Sequence, residues 1–510
     1  MQCHIIRAGL TAACVAVGVL LSADIAAAAS CESLASLKLS NGRVTLAQPV
    51  AAGAFTPPAG GRGGRGGGAA FADLPAFCRL AATLTPTPAS AIKIEVWLPA
   101  SGWNGKFQAV GNGGWNGNID TNALAAGLRG GYATASTDTG HEGGGGPWMR
   151  DREKVIDYGH RAVHEMAVSA KAAIAAFYES GAKFSYFNGC SAGGRQGLKA
   201  AQQYPDDFDG IVAGAPALNA TGRASFAIWV AQNLRKEEGS YIPNTKYQAI
   251  HDAVLKACDG LDGVTDGVLE NPRACTFDPG VLACTAGDSP SCLTPPQVEA
   301  ARKMYQPLTQ TGASREIFQG LAYGSELGWN TFGGQQPFAL GTQMFQQMIF
   351  NDPAWDYRTL NFDSHMALVD KVESGAINAM DPNLKPFASS GGKLLMYHGW
   401  SDPQIPAGSS VSYYDRVLQT MGGAAATQQT ARLFMVPGMN HCGGGSGTAT
   451  FDMLAALEAW VEQGRAPDQI PASRVTGGKT ERTRPLCTYP KVATYRGSGS
   501  TDDASSFVCK

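Results

Sequence analysis

Two short stretches hold residue types suited to nucleophilic catalysis. Residues 188–194 read NGCSAGG and set Ser191 between Gly189 and Gly193. This satisfies the G-x-S-x-G pattern, in which a serine sits on a tight strand-to-helix turn with its hydroxyl exposed. An apolar run, FSYF, precedes it and a helical run follows, as such a turn requires. Residues 439–445 read MNHCGGG and place His441 in a glycine-rich loop after the strand-like ARLFMV. A serine hydroxyl needs a base to take its proton, and the base needs an acid to orient it. Asp402, after KLLMY, completes the chain order nucleophile, acid, base, although order alone does not separate it from the other aspartates. The remaining histidines are less suited: His4 falls in the expected export signal, His160, His164 and His251 fall on helical patterns, His365 lies in the stretch 217–390 read below as an insertion, His398 sits at a strand end suited to a structural hydrogen bond, and His141 could line a pocket.

An oxyanion needs two donors aimed at the charge that develops. The backbone N–H of Ala192, next to the nucleophile, is one. The other is expected from the glycine loop GNGGWNG, at Gly113 or Gly114, with the choice open. A second constellation is CDGLDGVTDGVLENPRAC, 258–275. Asp259, Asp262 and Asp266 offer hard oxygen ligands on a glycine-rich loop, a composition that suits calcium and suits a solvated acidic turn equally. It lacks the spacing and terminal glutamate of an EF-hand.

Strand and helix patterns must position these groups. AIKIEVWLP, GKFQAV, GYATAST, KFSYFNG, FDGIVAG, KLLMYHG and ARLFMV read as strands. Residues 160–180 read as a helix ended by Gly181, AGGRQGLKAAQQ as a second, and TFDMLAALEAWVEQG as a late amphipathic one. The alternation predicts a mostly parallel sheet covered on both faces. The stretch 217–390 breaks the alternation and reads as an insertion above the sheet. Together with the serine elbow and the residue order, the pattern predicts an α/β-hydrolase fold with a large inserted lid domain: core 31–216, lid 217–390 with the acidic loop, core 391–510.

The chain has 510 residues, 44% apolar and 16% charged, with a formal net charge of −2. That balance gives no footing for a nucleic-acid or anionic-membrane partner. Residues 1–30 read as an export signal: Arg7, an apolar run, then the alanines at 26–29. Cysteine usage agrees with a secreted or periplasmic destination, since ten remain after the signal. Short spacings suggest Cys258 with Cys275, Cys284 with Cys292 and Cys487 with Cys509, and Cys31 with Cys78 could close the N-terminal region. Cys190 and Cys442 are left by elimination, which does not fix connectivity. If they pair, the residue before Ser191 is tied to the residue after His441.

The chain resembles the tannase/feruloyl esterase family, which also includes the mono(2-hydroxyethyl) terephthalate hydrolase. The likeness runs over nearly the whole chain after the signal and is carried by LPAFCRLAATLTPTPASAIKIEVWLP, WNGKFQAVGNGGWNG, YATASTDTGH, YGHRAVHEMAV, YFNGCSAGGRQGLKAAQQYPDDFDGIVAGAPA, LLMYHGWSDPQIP and VPGMNHCGGG. The resemblance implies a triad on Ser191, Asp402 and His441, a bridge between Cys190 and Cys442, and structural Ca2+ on the acidic loop with backbone oxygens of Val264 and Val268 joining Asp259, Asp262 and Asp266. It implies a small aromatic ester substrate, possible attachment to plant polysaccharide or tannin, and hydroxycinnamic, galloyl or terephthalate monoesters as the choices. The comparable lid stretch, 324–357, contains no Arg or Lys. Trp329, Phe332, Phe338 and Phe345 are therefore expected either to stack on a neutral phenolic ring or to form lid core. The non-enzyme alternative is a calcium-stabilised binding or scaffold protein.

Overall fold

The computed structural model describes residues 30–57, 70–313 and 315–510. The expected export signal lies outside the described residues, and no helix among them is long and apolar enough to cross a membrane.

Ten strands build one sheet: β1 (Lys38–Leu39), β2 (Gly42–Val50), β3 (Phe77–Leu84), β4 (Ile92–Pro99), β5 (Lys106–Val110), β6 (Ala133–Thr137), β7 (Phe184–Cys190), β8 (Gly210–Gly214), β9 (Lys393–Gly399) and β10 (Ala431–Val436). Their order across the sheet is β1-β2-β3-β4-β6-β5-β7-β8-β9-β10. From β6 to β10 every neighbour is parallel, whereas β1 to β4, and β4 against β6, run antiparallel. The expected parallel sheet is thus extended at one edge by an antiparallel block. The parallel strands read as continuous apolar runs because both their faces are covered: β6 and β8 are buried at every position.

The covering helices include α1 (Thr121–Arg129), α2 (Ala162–Tyr178) and α3 (Ala192–Gln203), with Gly408–Met421 and Met453–Gln463 near the C-terminus. Helix α2 ends at Glu179 in the left-handed region (φ 55°), two residues before the expected glycine stop. It is entered through a π turn, Asp157–Arg161, which the apolar spacing does not reveal.

Between β8 and β9 the chain adds no strand to the sheet. It forms α4 (Ala220–Asn233), α5 (Tyr247–Cys258), α6 (Pro295–Tyr305), α7 (Met366–Glu373) and short helical turns, which share a core around Phe226, Trp329, Phe332 and Phe345. The two C-terminal helices named above are α8 and α9 in chain order. Five disulfides, Cys31–Cys78, Cys190–Cys442, Cys258–Cys275, Cys284–Cys292 and Cys487–Cys509, pair the ten cysteines as spacing and elimination suggested. The arrangement, a serine elbow at the end of a central parallel strand with an insertion above the strand ends, is an α/β-hydrolase fold.

Candidate active site

Strand β7 ends on Cys190, and Ser191 follows at φ 66°, ψ −121°, a conformation few non-glycine residues adopt. The turn is held by Ser191 N–H to the Gly214 carbonyl (2.9 Å) and by Ala217 N–H to the Ser191 carbonyl (3.0 Å). Strain of this kind persists because the surroundings over-determine it, and it lifts the hydroxyl clear of the sheet. The glycines of the motif allow backbones to touch. A Cβ on Gly189 would lie 2.6 Å from the Gly193 carbonyl carbon, and one on Gly111 would lie 2.4 Å from the Gly193 Cα. The glycine loop after β5 is thereby seated against the first turn of α3.

That contact brings the oxyanion candidates beside the nucleophile. The N–H groups of Ala192, Gly113 and Gly114 have no acceptor among the described residues. The N–H of Asn112 is taken by Gln196 Oε1 (3.0 Å), while Gln196 Nε2 reaches Asn112 Oδ1 (3.2 Å). Asn112 Nδ2 also donates to the carbonyls of Asn118 and Thr137, at 2.9 and 2.8 Å. Asn112 and Gln196 therefore clamp the loop, a role no sequence signal marked. The N-terminus of α3 adds its partial positive charge at the same point.

His441 lies in the loop after β10, and its Nδ1 is 2.7 Å from Asp402 Oδ2. Asp402 is fully enclosed, at 1% exposure, in the turn after β9. Its Oδ1 accepts from the backbone N–H of Gln404 (2.8 Å) and Ile405 (3.0 Å), and its Oδ2 also meets His398 Nε2 (3.1 Å). Burial alone would raise the Asp402 carboxyl, but hydrogen bonds from His398 and His441 outweigh it and hold the group well below the usual carboxylate range. An ionised carboxylate at Nδ1 fixes the tautomer that leaves Nε2 to accept a proton. No Ser191–His441 hydrogen bond is closed, which is common before substrate tightens such a site. Cys190 and Cys442 tie the two loops, with Cα atoms 6.0 Å apart.

Ser191 and His441 face one cavity of about 780 Å³, shared with Gly113, Gly114, Trp115, Leu340 and Gln404. None of the four expected platform aromatics lines this cavity. Trp329, Phe332 and Phe345 are each 0% exposed and belong to the lid core, so the stacking role is corrected to a packing role. Trp329 meets Tyr305 (4.9 Å between ring centres), Phe332 meets Phe226 (5.5 Å) and Phe345 meets Trp355 (5.2 Å). Lid aromatics that can reach one another bury against one another first, since burial is what a segment of short helices lacks. Phe338 is only half-buried, and the Arg223 guanidinium of α4 lies 5.4 Å over its ring. Arg223 is 6% exposed, has no ion-pair partner among the described residues, and is near enough to Asp402 to act on it through space.

The acidic loop gathers buried carboxyls. Burial first, then mutual repulsion, raises the carboxyls of Asp262 and Asp266, and burial beside them pushes Glu270 up to about 8. The carbonyls of Val264 and Val268, both buried, accept no hydrogen bond among the described residues. Asp259 instead spends its oxygens on the N–H groups of Asp266 (3.3 Å) and Gly267 (3.0 Å). Arg484 and Arg482 meet Asp266 Oδ2 at 2.7 and 3.0 Å and already offset part of the charge.

Residues 78–510 match the family described as tannase and feruloyl esterase. An uncharacterized esterase of Xanthomonas campestris pv. campestris is 35% identical, over 97% of this chain and 93% of its own length. A probable feruloyl esterase B-1 of Aspergillus oryzae is 35% identical over 85% of this chain and 84% of its own. The crystal structure of feruloyl esterase B from Aspergillus oryzae superposes with a TM-score of 0.87 at 33% identity, over 94% of this chain and 99% of that one.

Proposed function

This chain belongs to the tannase and feruloyl esterase family, a family of carboxylic ester hydrolases, and from that premise we propose that it cleaves esters of aromatic acids through a serine acyl-enzyme. His441 Nε2 takes the proton of Ser191 Oγ, and Oγ bonds to the ester carbonyl carbon. The carbonyl oxygen gathers charge against the N–H of Ala192 and that of Gly113 or Gly114. The tetrahedral adduct collapses, the C–O bond to the alcohol breaks, and His441 returns the proton to the leaving oxygen. Water, deprotonated by His441, then attacks the acyl carbon and Ser191 leaves with the proton. The observation that carries the reading is one cavity faced by Ser191, His441 and free backbone donors, with an ionised Asp402 behind the imidazole.

Hydroxycinnamic or other phenolic esters are the proposed substrates, with feruloyl esterase-like selectivity, free or attached to plant polysaccharide or tannin. A second reading has Arg223 behind it. A buried guanidinium with no ion-pair partner among the described residues suits a substrate that carries a free carboxylate, such as a terephthalate monoester, if the substrate reaches past the lining of the Ser191 cavity, to which Arg223 does not belong. Comparing kcat/KM for methyl ferulate, methyl gallate and mono(2-hydroxyethyl) terephthalate decides between them. A preference above about tenfold for the neutral phenolic esters supports the first reading, and parity for the terephthalate monoester supports the second.

Calcium on Asp259, Asp262, Asp266 and the carbonyls of Val264 and Val268 is proposed as structural, because it would neutralise buried acids in a loop clipped by Cys258–Cys275. Export is proposed on the apolar N-terminus and the five disulfides, which suit an oxidising compartment.

A further inference from the structure

Strand β9 delivers a second imidazole to the carboxylate that meets His441. His398 is 0% exposed, and its Nε2 lies 3.1 Å from Asp402 Oδ2 and 3.0 Å from the Ile405 carbonyl oxygen. Both neighbours only accept, so the proton belongs on Nε2. Nδ1 lies 2.7 Å from Ser410 Oγ on α8. Asp402 thus has four donors: two backbone N–H groups on Oδ1, and His441 and His398 together on Oδ2.

We infer that His398 is a positioning residue for ester hydrolysis: its Nε2–H fixes the rotation of the Asp402 carboxylate and shares the oxygen that orients His441. The inference rests on the reading of Ser191, Asp402 and His441 as the reacting set. Two consequences separate it from a brace that merely ties the turn after β9 to α8. The carboxylate loses its aim when the donor is removed, so kcat falls while substrate binding does not. The charge on Oδ2 also becomes fully available to His441, so the imidazolium is favoured and the acid limb of the pH profile moves up. Among the described residues Arg223 from the lid also interacts with Asp402 through space, and it is left intact. Ser410 and the amides of Gln404 and Ile405 do not titrate.

His398→Leu removes the donor and keeps most of the volume, whereas His398→Gln returns an N–H close to the Nε2 position. The leucine variant is expected to lose ~10–100-fold in kcat with KM nearly unchanged, and to shift the acid limb of kcat/KM upward by about half a pH unit. The glutamine variant is expected to recover most of the rate and the original limb. Equal losses in both variants with an unmoved limb, or a folded leucine variant within about threefold of the parent, overturn the inference. If the leucine variant does not fold, His398→Asn decides: its shorter amide reaches Ser410 but not Oδ2, so the limb must still move. Ser191→Ala serves as the control. If it is inactive while the His398 variants are unaffected, only this inference falls; if it remains active, the reading beneath falls.

Discussion

Removing the bridge between the nucleophile and base loops, with Cys190→Ala and Cys442→Ala together, should separate the two things the bridge does. It spans 252 residues of sequence, including the lid and three strands of the sheet. Loop-closure entropy for that length gives about 5 kcal/mol of stabilisation, an upper figure because the unfolded chain is not featureless. The fold has other means of staying assembled. Strands β7, β8, β9 and β10 are paired in continuous parallel register. The His441 loop keeps Asn440 N–H on the Gly444 carbonyl (3.2 Å) and Ser401 N–H on the Met439 carbonyl (3.0 Å). The double variant should therefore fold with a lower melting temperature, while His441 loses its tie to the elbow. Drift of about 1 Å at a reacting group costs on the order of 100-fold, and that is the expected fall in kcat, with KM little changed. The assay is steady-state hydrolysis of methyl ferulate at a temperature where circular dichroism shows both proteins folded. A folded double variant with kcat within about threefold of the parent would refute the claim that the bridge positions the base.

Gln196→Ala should release Asn112 and loosen the oxyanion loop, lowering kcat by ~10–100-fold with little change in KM; a fall in KM-dependent binding alone would point to a different role. Chelation, or Asp262→Ala, should lower the melting temperature by about 1 °C for each kcal/mol of linked cation binding in a chain of this length, and calorimetry that shows no change with chelator or added Ca2+ removes calcium from the account. Asp138 is a buried carboxyl raised first by burial, to about 7, although its Oδ1 accepts from the N–H groups of Lys93 (2.9 Å) and Gly140 (2.8 Å). A raised folded pKa means that the unfolded chain ionises first, so stability is complete below about 4 and is lost as pH rises towards 7. Asp138→Asn should therefore raise the melting temperature more at pH 8 than at pH 4 (~4 being the unfolded carboxyl value), and an equal change at both contradicts the burial argument.

The sequence made the reacting groups legible because their local context is one-dimensional. A strand, a glycine-flanked serine and a helix specify an elbow within a few residues, and a cysteine beside each of Ser191 and His441 is visible before any coordinates. The strands β4 to β10 were likewise legible from apolar runs between turns. The antiparallel edge block was less so, because pairing direction is settled between distant segments. The lid shows the limit most clearly. Trp329, Phe332 and Phe345 have the composition of a binding platform and the position of a core, and composition does not say which way a side chain points. The clamp of Asn112 by Gln196 joins residues that sequence spacing does not relate, and His398, four residues before Asp402, turns towards it only through the fold of the strand end. A polar residue at a strand end or inside a helix carries no mark of the partner that tertiary packing will give it.

The central claim is that an ester's acyl group passes through Ser191. Mixing the protein with methyl ferulate, quenching with acid within the first turnover, and mapping peptides by mass spectrometry tests it most directly. A feruloyl adduct on the peptide carrying Ser191, absent from the Ser191→Ala variant, which also fails to turn over, is the predicted result. Turnover by the alanine variant, or an adduct on any other side chain, would contradict the account.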